Sequence, residues 1–187
     1  METLDDVLLD AEDKMSKSTD HLHQELSGLR TGKASPSLVE NIQVNYYGAP
    51  TRLRELAGIA TPEPRLIVIN PFDPSASQNI CQAILAANIG ITPMDDGRVI
   101  RIPIPELSEE RRRDLLKVGK RMAEEARVAI RNVRREANEL VKTLQKASTI
   151  TEDEKKIGEE EVQKLTDQYI KKVDDQIATK EKDILAV

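Results

Sequence analysis

Hydrophobic residues recur at intervals of three or four positions in three long segments of the chain, and polar residues fill the positions between them. This spacing is typical of amphipathic helices, because 3.6 residues per turn places such apolar side chains on one side. The three stripes are Leu4, Leu8, Ala11, Met15, Ser18, Leu22, Leu26 and Leu29; Leu115, Val118, Met122, Ala126, Ala129, Val133, Ala137, Leu140 and Leu144; and Ile157, Val162, Leu165, Tyr169, Val173, Ile177 and Ile184. None of these helices can bury its stripe alone, so we predict an up-down-up three-helix bundle.

Capping residues mark where these helices begin. Thr3 and Ser108 each precede an acidic first turn, and Thr151–Glu154 has the T-x-x-E pattern of a capping box. Side-chain oxygens at such positions accept the N–H groups that a helix leaves unpaired at its start. Gly32 is expected to end the first helix. The sequence therefore predicts helices over residues 3–30, from 108 to 146, and from 151 onward.

The residues between the first and second helices follow another pattern. Ile42, Val44 and Tyr46 alternate with polar residues as in a half-buried strand, and Arg65–Asn70 and Arg98–Ile104 are two further strand-like runs. Asp73-Pro74 is a typical helix start, and the helix that it opens is expected to run through Leu85 to Gly90. These elements predict a small β/α/β domain.

The predicted fold class is α+β, with this small domain inserted into the bundle. We expect residues 1–30 and 106–187 to form the bundle and residues 31–105 to form the inserted domain. The two linkers contain residues that restrict or relax the backbone: Thr31, Gly32 and Lys33 in the first, and Pro103 and Pro105 in the second. They are consistent with an ordinary domain boundary of fixed geometry, or with a hinge about which the inserted domain rotates.

The second helix carries the positive charge of an otherwise acidic chain. The 187 residues have a net charge of −5, whereas residues 108–146 contain 12 Lys and Arg against 7 Asp and Glu, a charge of +5. On a helical projection, seven cations lie opposite the apolar stripe: Arg113, Lys117, Lys120, Arg127, Arg131, Arg134 and Arg135. Asp114, Glu125, Glu136 and Glu139 lie to one flank. This segregation favours a polyanion-binding surface over a solvated face stabilised by i,i+4 ion pairs, which is the ordinary alternative.

Composition removes several other functions. One cysteine, Cys81, cannot form an internal disulfide, and His21 and His23 are two residues apart, so they cannot share a metal on a helix. No nucleotide-binding or nucleophile motif is present, and we predict a protein that is not an enzyme and that uses no cofactor or metal. Aromatic residues make up 2% of the chain, so recognition of a nucleic-acid backbone is favoured over base stacking. Without a long apolar segment or a leader-like start at Met1, the protein is expected to be soluble and cytoplasmic.

Several segments together resemble bacterial ribosome recycling factors. They are Ser27–Leu38 (SGLRTGKASPSL), Tyr46–Pro50 (YYGAP), Ser108–Arg113 (SEERRR), Ala126–Arg135 (ARVAIRNVRR) with Glu136-Ala137-Asn138, and Val162–Lys172 (VQKLTDQYIKK). The resemblance extends over essentially the full chain. It implies an L-shaped pair of domains, a three-helix bundle and a β/α/β domain joined by two linkers.

The resemblance also implies a function and partners. The factor would bind the post-termination ribosome through large-subunit RNA and, with elongation factor G and GTP, split the subunits so that messenger RNA and transfer RNA leave. GTP would belong to the elongation factor, and the protein would be a monomer that acts as a wedge. The arginines expected to contact ribosomal RNA are Arg30, Arg112, Arg131 and Arg134. Arg127 and Arg135, which lie among the seven cations opposite the apolar stripe, are expected to join them.

Two residues depart from the family pattern. Lys33 stands where arginine is expected, which keeps the charge but not the bidentate geometry, and Glu106 stands where a further proline is common. The second linker is therefore expected to be less stiff.

Apart from the resemblance, the rival interpretation is a helical adaptor whose bundle engages an acidic protein, and that interpretation predicts no dependence on RNA.

Overall fold

A computed structural model describes residues 3–29 and 31–186 and divides the chain into two compact units. The first unit contains the chain up to Thr31 and from Glu109 onward, and the second is Gly32–Ser108. The sequence prediction placed these boundaries at residues 30/31 and 105/106. The predicted α+β class, a helical bundle interrupted by a small sheet-containing unit, is confirmed.

Three helices form the first unit: α1 (Leu4–Ser27), α4 (Glu109–Lys146) and α5 (Glu152–Leu185). Their directions follow from the contacts at the two ends of the bundle. Near one end, the start of α5 at Gly158 faces Leu4 and Val141. Near the other, Gly119 of α4 faces Ile177. The helices thus alternate up, down and up, as predicted.

Many positions of the predicted stripes are buried, among them Met15, Ala126 and Val173, but at several others the neighbouring residue is buried instead. In α4 the fully or nearly fully buried positions include Gly119, Ala123, Ile130 and Val141, whereas Val118, Met122, Ala129, Val133 and Leu140 are only partly buried. Likewise Thr19 is buried in place of Ser18, and Ile157 is 55% exposed beside buried Gly158. The reason is that each helix packs against two others, so the buried sector is wider than one stripe and its centre holds small residues.

Helix starts follow the predicted caps. The Thr3 hydroxyl accepts the Asp6 N–H while the Asp6 carboxylate accepts the Thr3 N–H, and Thr151 and Glu154 make the same reciprocal pair. The α1 helix ends at Ser27, earlier than the predicted residue 30, because Gly28 already forms its C-cap. α4 begins at Glu109, directly after Ser108.

The second unit contains two sheets and two helices. Strands β1 (Gln43–Tyr46) and β2 (Ala49–Arg52) form a hairpin, and β3 (Ala57–Glu63), β4 (Leu66–Pro71), β5 (Met94–Asp95) and β6 (Ile100–Pro103) form an antiparallel sheet of order β3-β4-β6-β5. The helices are α2 (Leu53–Leu56) and α3 (Ser77–Ala86). The helix that was predicted from Asp73-Pro74 to Gly90 corresponds to α3. It begins later than predicted, after a 3₁₀ turn at Pro74–Ala76, and it ends earlier, at Ala86.

Side chains from both sheets and α3 form one core in this unit. Ile67, Ile69, Ile80, Ile100 and Ile102 are fully buried. Cys81 packs beside this core, where burial raises the pKa of its thiol, consistent with a small apolar side chain.

Both linker segments that belong to the second unit are fastened to the turn between β3 and β4. The Ala34 N–H donates to the Pro64 carbonyl at 2.7 Å, and the Ile104 N–H donates to the Arg65 carbonyl at 2.8 Å. The Glu106 carboxylate pairs with the Arg65 guanidinium. Gly32 has a φ of +77°, and a Cβ there would lie 3.4 Å from Leu107 Cγ, so the two linkers pass each other closely. Glu106 stands where a proline is common in the family, and the second linker is for that reason expected to be less stiff. In the structure, Glu106 contributes an ion pair to this linker.

Candidate nucleic-acid interface

The cations of α4 that the sequence placed opposite the core lie on the outside of the bundle, with some at its flank. We call Arg113, Lys117, Lys120, Arg127, Arg131, Arg134 and Arg135 the basic face. Arg113, Lys117, Lys120 and Arg135 are exposed, whereas Arg127, Arg131 and Arg134 are partly buried. The last three therefore do not point straight into solvent, as a simple projection suggested.

Arg127 is bound within the bundle. Its Nε and Nη2 donate to Asp174 Oδ1 of α5 at 2.9 and 2.7 Å, and its Nη1 donates to Glu124 Oε2 at 3.1 Å. The side chain is only 22% exposed. Since all three nitrogens already have carboxylate partners, Arg127 links α4 to α5 and has few donors left for an external phosphate.

Glu124 connects Arg127 to Arg131. Its second oxygen, Oε1, accepts a hydrogen bond from Arg131 Nη1 at 3.3 Å. These bonds, first from Arg127 and then from Arg131, hold the pKa of Glu124 below its usual range, so its carboxylate stays ionised. Arg131 differs from Arg127 because only one of its nitrogens is used and 40% of its side chain is exposed. Most of its donors remain available.

Arg134, Arg135 and Arg112 have no ion pair among the residues that the structure describes. Arg135 is exposed one helical turn from Arg131, and Arg134 lies beside it at the flank. Arg112 lies about 28 Å from Arg131 along the axis, at 1.5 Å per residue, so the structure does not join it to the others. Arg30, the remaining predicted RNA contact, lies outside the described residues. The structure therefore gathers Arg131, Arg134 and Arg135 into one cluster.

Part of the charge on α4 is satisfied locally. Arg113 pairs with Glu109 at 2.7 Å and Arg121 with Glu125 at 3.8 Å, both with i,i+4 spacing. The two signs are also less segregated than predicted, because Glu124 lies in the middle of the basic face. The ordinary interpretation of a charged helix thus holds for Arg113 and Arg121, and the cluster formed by Arg131, Arg134 and Arg135 carries the case for a binding surface.

Within the first unit, no exposed aromatic side chain accompanies these cations. Tyr169, the aromatic residue of the first unit, is 5% exposed and lies beneath Lys172. Tyr47 and Phe72 are 82% and 72% exposed, but both belong to the inserted unit. The first unit can therefore offer hydrogen bonds and charge to phosphates, and its own aromatic residue is too buried for base stacking.

Among residues 3–29 and 31–186, no group of three or more His, Cys, Asp or Glu side chains is placed to hold a metal ion.

None of the helices that the structure describes combines the length and the apolar character needed to cross a membrane.

A helical bundle with a cationic cluster on its longest helix and an inserted unit of sheets and short helices defines the class of two-unit α+β proteins. Comparison with known proteins narrows this class. The family model described as ribosome recycling factor matches residues 22–185. The chain belongs to the ribosome recycling factor family, which consists of translation factors that are not enzymes.

Similar proteins match along almost their full length. The ribosome-recycling factor of Syntrophobacter fumaroxidans is 51% identical over 184 residues, 98% of this chain and 100% of the relative. The ribosome-recycling factor of Halalkalibacterium halodurans is 52% identical over 182 residues, 97% of this chain and 98% of the relative.

Solved structures give the same family. A solution structure of the ribosome recycling factor superimposes with a TM-score of 0.79 at 42% identity and covers 100% of both chains. A second match has a TM-score of 0.66 at 42% identity and covers 98% of this chain and 100% of the other. It is described as models for the T. thermophilus ribosome recycling factor and the E. coli elongation factor G bound to the E. coli post-termination complex.

Proposed function

We propose that this protein binds the post-termination ribosome through large-subunit RNA and, with elongation factor G and GTP, promotes subunit splitting and release of the ribosome from messenger RNA. The observation that carries the RNA contact is the cluster of Arg131, Arg134 and Arg135 on one face of α4, with donors that carboxylates of the bundle leave free. Planar guanidinium groups suit phosphate oxygens in particular. A factor with this role acts in the cytoplasm, where ribosomes translate.

Elongation factor G is the proposed protein partner. Support comes from the similar factor that has been placed, together with elongation factor G, on a post-termination complex. The chain has no phosphate-binding motif, so we assign GTP to the elongation factor. The protein is inferred to act as a monomer, through binding and displacement.

The linkers are proposed to serve as the pivot of that displacement. Thr31, Gly32 and Lys33 lie in one connection and Pro105 lies in the other, whereas Pro103, which was also predicted to belong to the hinge, is the last residue of β6. We infer that the bundle stays on ribosomal RNA while the inserted unit turns about these segments when elongation factor G acts on it. Hydrogen bonds from Ala34 and Ile104 to the β3–β4 turn would make these two residues move with the inserted unit.

A polysome-breakdown assay tests the whole proposal. Purified polysomes stripped of nascent chains are incubated with this protein, elongation factor G and GTP, and the products are separated on a sucrose gradient. Free ribosomes or subunits are expected only when all three components are present. Polysomes that persist under these conditions would contradict the proposed function.

A binding experiment tests the RNA face separately. Arg131→Ala and Arg134→Ala are expected to weaken cosedimentation with ribosomes and to reduce its dependence on salt, since each removes a phosphate contact. Arg121→Ala is the matched control, because Arg121 is an exposed arginine of the same helix that pairs with Glu125 outside the cluster. Equal binding by all three variants at several salt concentrations would exclude the cluster as the RNA contact.

A further inference from the structure

An acidic residue lies inside the proposed RNA-binding face. Glu124 is on the same side of α4 as Arg131, and its Oε1 accepts a hydrogen bond from Arg131 Nη1 at 3.3 Å. Its side chain is 57% exposed, so any phosphate that approaches Arg131 from this side meets a carboxylate in the same place. The position matters because like charges repel at short range, even at a protein surface.

The neighbouring contacts keep Glu124 in this position. Its other oxygen, Oε2, accepts a hydrogen bond from Arg127 Nη1 at 3.1 Å. Arg127 in turn is held by Asp174 of α5 through two bonds of 2.9 and 2.7 Å. Glu124 is therefore anchored through Arg127 to a second helix, and it is not an isolated side chain that moves away freely.

The geometry restricts how a phosphate can bind Arg131. One Nη1 hydrogen is directed to Glu124, whereas the remaining donors of the guanidinium have no carboxylate partner among the described residues. A phosphate must therefore reach the open edge of Arg131 without crowding Glu124, or it must displace the carboxylate. An RNA whose backbone places a phosphate at the open edge of Arg131 meets the first condition, whereas an RNA that presents its phosphates elsewhere must displace the carboxylate.

We propose that Glu124 is a specificity-determining residue, a built-in competitor for phosphate at Arg131 that weakens binding to generic RNA more than binding to ribosomal RNA. This inference rests on the proposed RNA-binding function of the same face. It also assigns Arg127 a positioning role, because Arg127 holds Glu124 and all three of its nitrogens already donate to carboxylates. Selectivity then comes from repulsion of the wrong ligand as well as from attraction of the right one.

The test compares three variants in binding to a generic RNA duplex and to purified ribosomes over a range of salt. Glu124→Gln removes the competing charge. Glu125→Gln is the matched control, since it removes the same charge from the adjacent residue, which pairs with Arg121 and not with Arg131. Glu124→Gln combined with Arg131→Ala asks whether the effect passes through Arg131. Circular dichroism and thermal unfolding verify that each variant is folded.

Glu124→Gln is expected to bind the duplex several-fold more tightly, with the slope of log K against log salt steeper by about one unit, as one added phosphate contact requires. Ribosome binding should change less, so the ratio of the two affinities falls. The gain should be absent in Glu125→Gln and lost when Arg131 is also removed.

Three results would overturn the proposal: no gain in Glu124→Gln, an equal gain in Glu125→Gln, or a gain that persists without Arg131. Failure of the unsubstituted protein to bind ribosomes would instead contradict the proposed function. The duplex measurements would still decide whether Glu124 competes with phosphate, so the two failures are distinguishable.

Discussion

Gly119 of α4 faces Ile177 of α5 so closely that a Cβ built on Gly119 would lie 3.1 Å from Ile177 Cδ1. The close approach explains why a glycine occupies a buried position within a 38-residue helix. Replacement by leucine should destabilise the bundle by about 1–3 kcal/mol, because the extra atoms cannot be accommodated between packed helices. Urea denaturation followed by circular dichroism measures the change.

Gly119→Ala is the informative companion to that variant. Alanine gains about 1 kcal/mol of helix propensity over glycine, which should offset the small displacement required of the Ile177 side chain. We expect its free energy of unfolding to lie within about 1 kcal/mol of the original protein. A leucine variant as stable as the alanine variant would show that the interface is not tightly packed.

Arg127→Ala should reduce stability more than Arg135→Ala. Arg127 bonds to carboxylates on two helices, whereas Arg135 is exposed and has no ion pair among the described residues. The expected loss is about 1 kcal/mol for Arg127 and less than about 0.5 kcal/mol for Arg135. Thermal unfolding gives the stability order, and the reverse order would contradict the assignment of Arg127 as an interhelical link.

The inserted unit should lose stability in acid through Asp73. Hydrogen bonds from the Ser75 hydroxyl and N–H, and from the Tyr46 hydroxyl, hold the pKa of Asp73 below its usual range. A carboxyl whose pKa is lower in the folded state stabilises the fold above its unfolded-state pKa, and this stabilisation disappears as the pH falls through the folded-state pKa.

Asp73→Asn should therefore be least stable relative to the original protein near neutral pH, and the difference should shrink as the pH falls. Urea unfolding monitored by tyrosine fluorescence at several pH values tests this. Tyr46→Phe removes only one of the donors and should have a smaller effect. A stability difference that does not change with pH would exclude the proposed linkage.

Lys180→Met should stabilise the bundle at neutral pH. Partial burial lowers the pKa of Lys180, with a smaller opposing effect from Asp183, so the folded state holds the proton less tightly than the unfolded state. The unfolded state then binds more protons between the two pKa values, and stability rises with pH through that interval.

The advantage of the methionine variant should accordingly be present at pH 7 and decrease as the pH rises through the usual range for lysine. Lys171→Met is the control, since Lys171 is an exposed lysine of the same helix. Chemical denaturation at neutral and alkaline pH makes the comparison. Equal effects of the two substitutions would argue against a desolvation penalty at Lys180.

The long helices were predictable because periodicity and caps act locally. Thr3 and Thr151 each satisfy N–H groups within one turn, and no distant contact is needed to recognise them. The centre of the α4 stripe was predicted less accurately. Gly119 and Ala123 are buried because two other helices approach them, and small residues give little hydrophobic signal.

Strands β2 and β3 escaped prediction for a related reason. Ala49-Pro50-Thr51-Arg52 and Ala57-Gly58-Ile59-Ala60 contain residues that are poor in strands and show no clear alternation. Their pairing with β1 and β4 forms them, and such pairing depends on tertiary context. The positive φ of 48° at Tyr47 and its high exposure likewise depend on the hairpin that β1 and β2 form.

The sequence predicts which arginines of α4 share a face, but it does not predict which of them are already bound to carboxylates of the bundle. Helical geometry places Arg127 and Arg131 on one face, yet only coordinates show that Asp174 of another helix binds Arg127. Glu124 is different, because the same projection that grouped the arginines places it among them. That signal was present in the sequence.

The β3–β4 turn contacts both linkers within the inserted unit. The carbonyl groups of Pro64 and Arg65 accept their N–H groups, and Arg65 also forms an ion pair with Glu106. Two segments far apart in sequence thus have hydrogen-bond partners on two adjacent residues. An insertion between Pro64 and Arg65 would change the positions of both carbonyl groups, and would therefore affect both linkers although neither linker would itself be altered. The residues that bind the two linkers therefore lie about 30 residues from the first linker and about 40 from the second in the sequence.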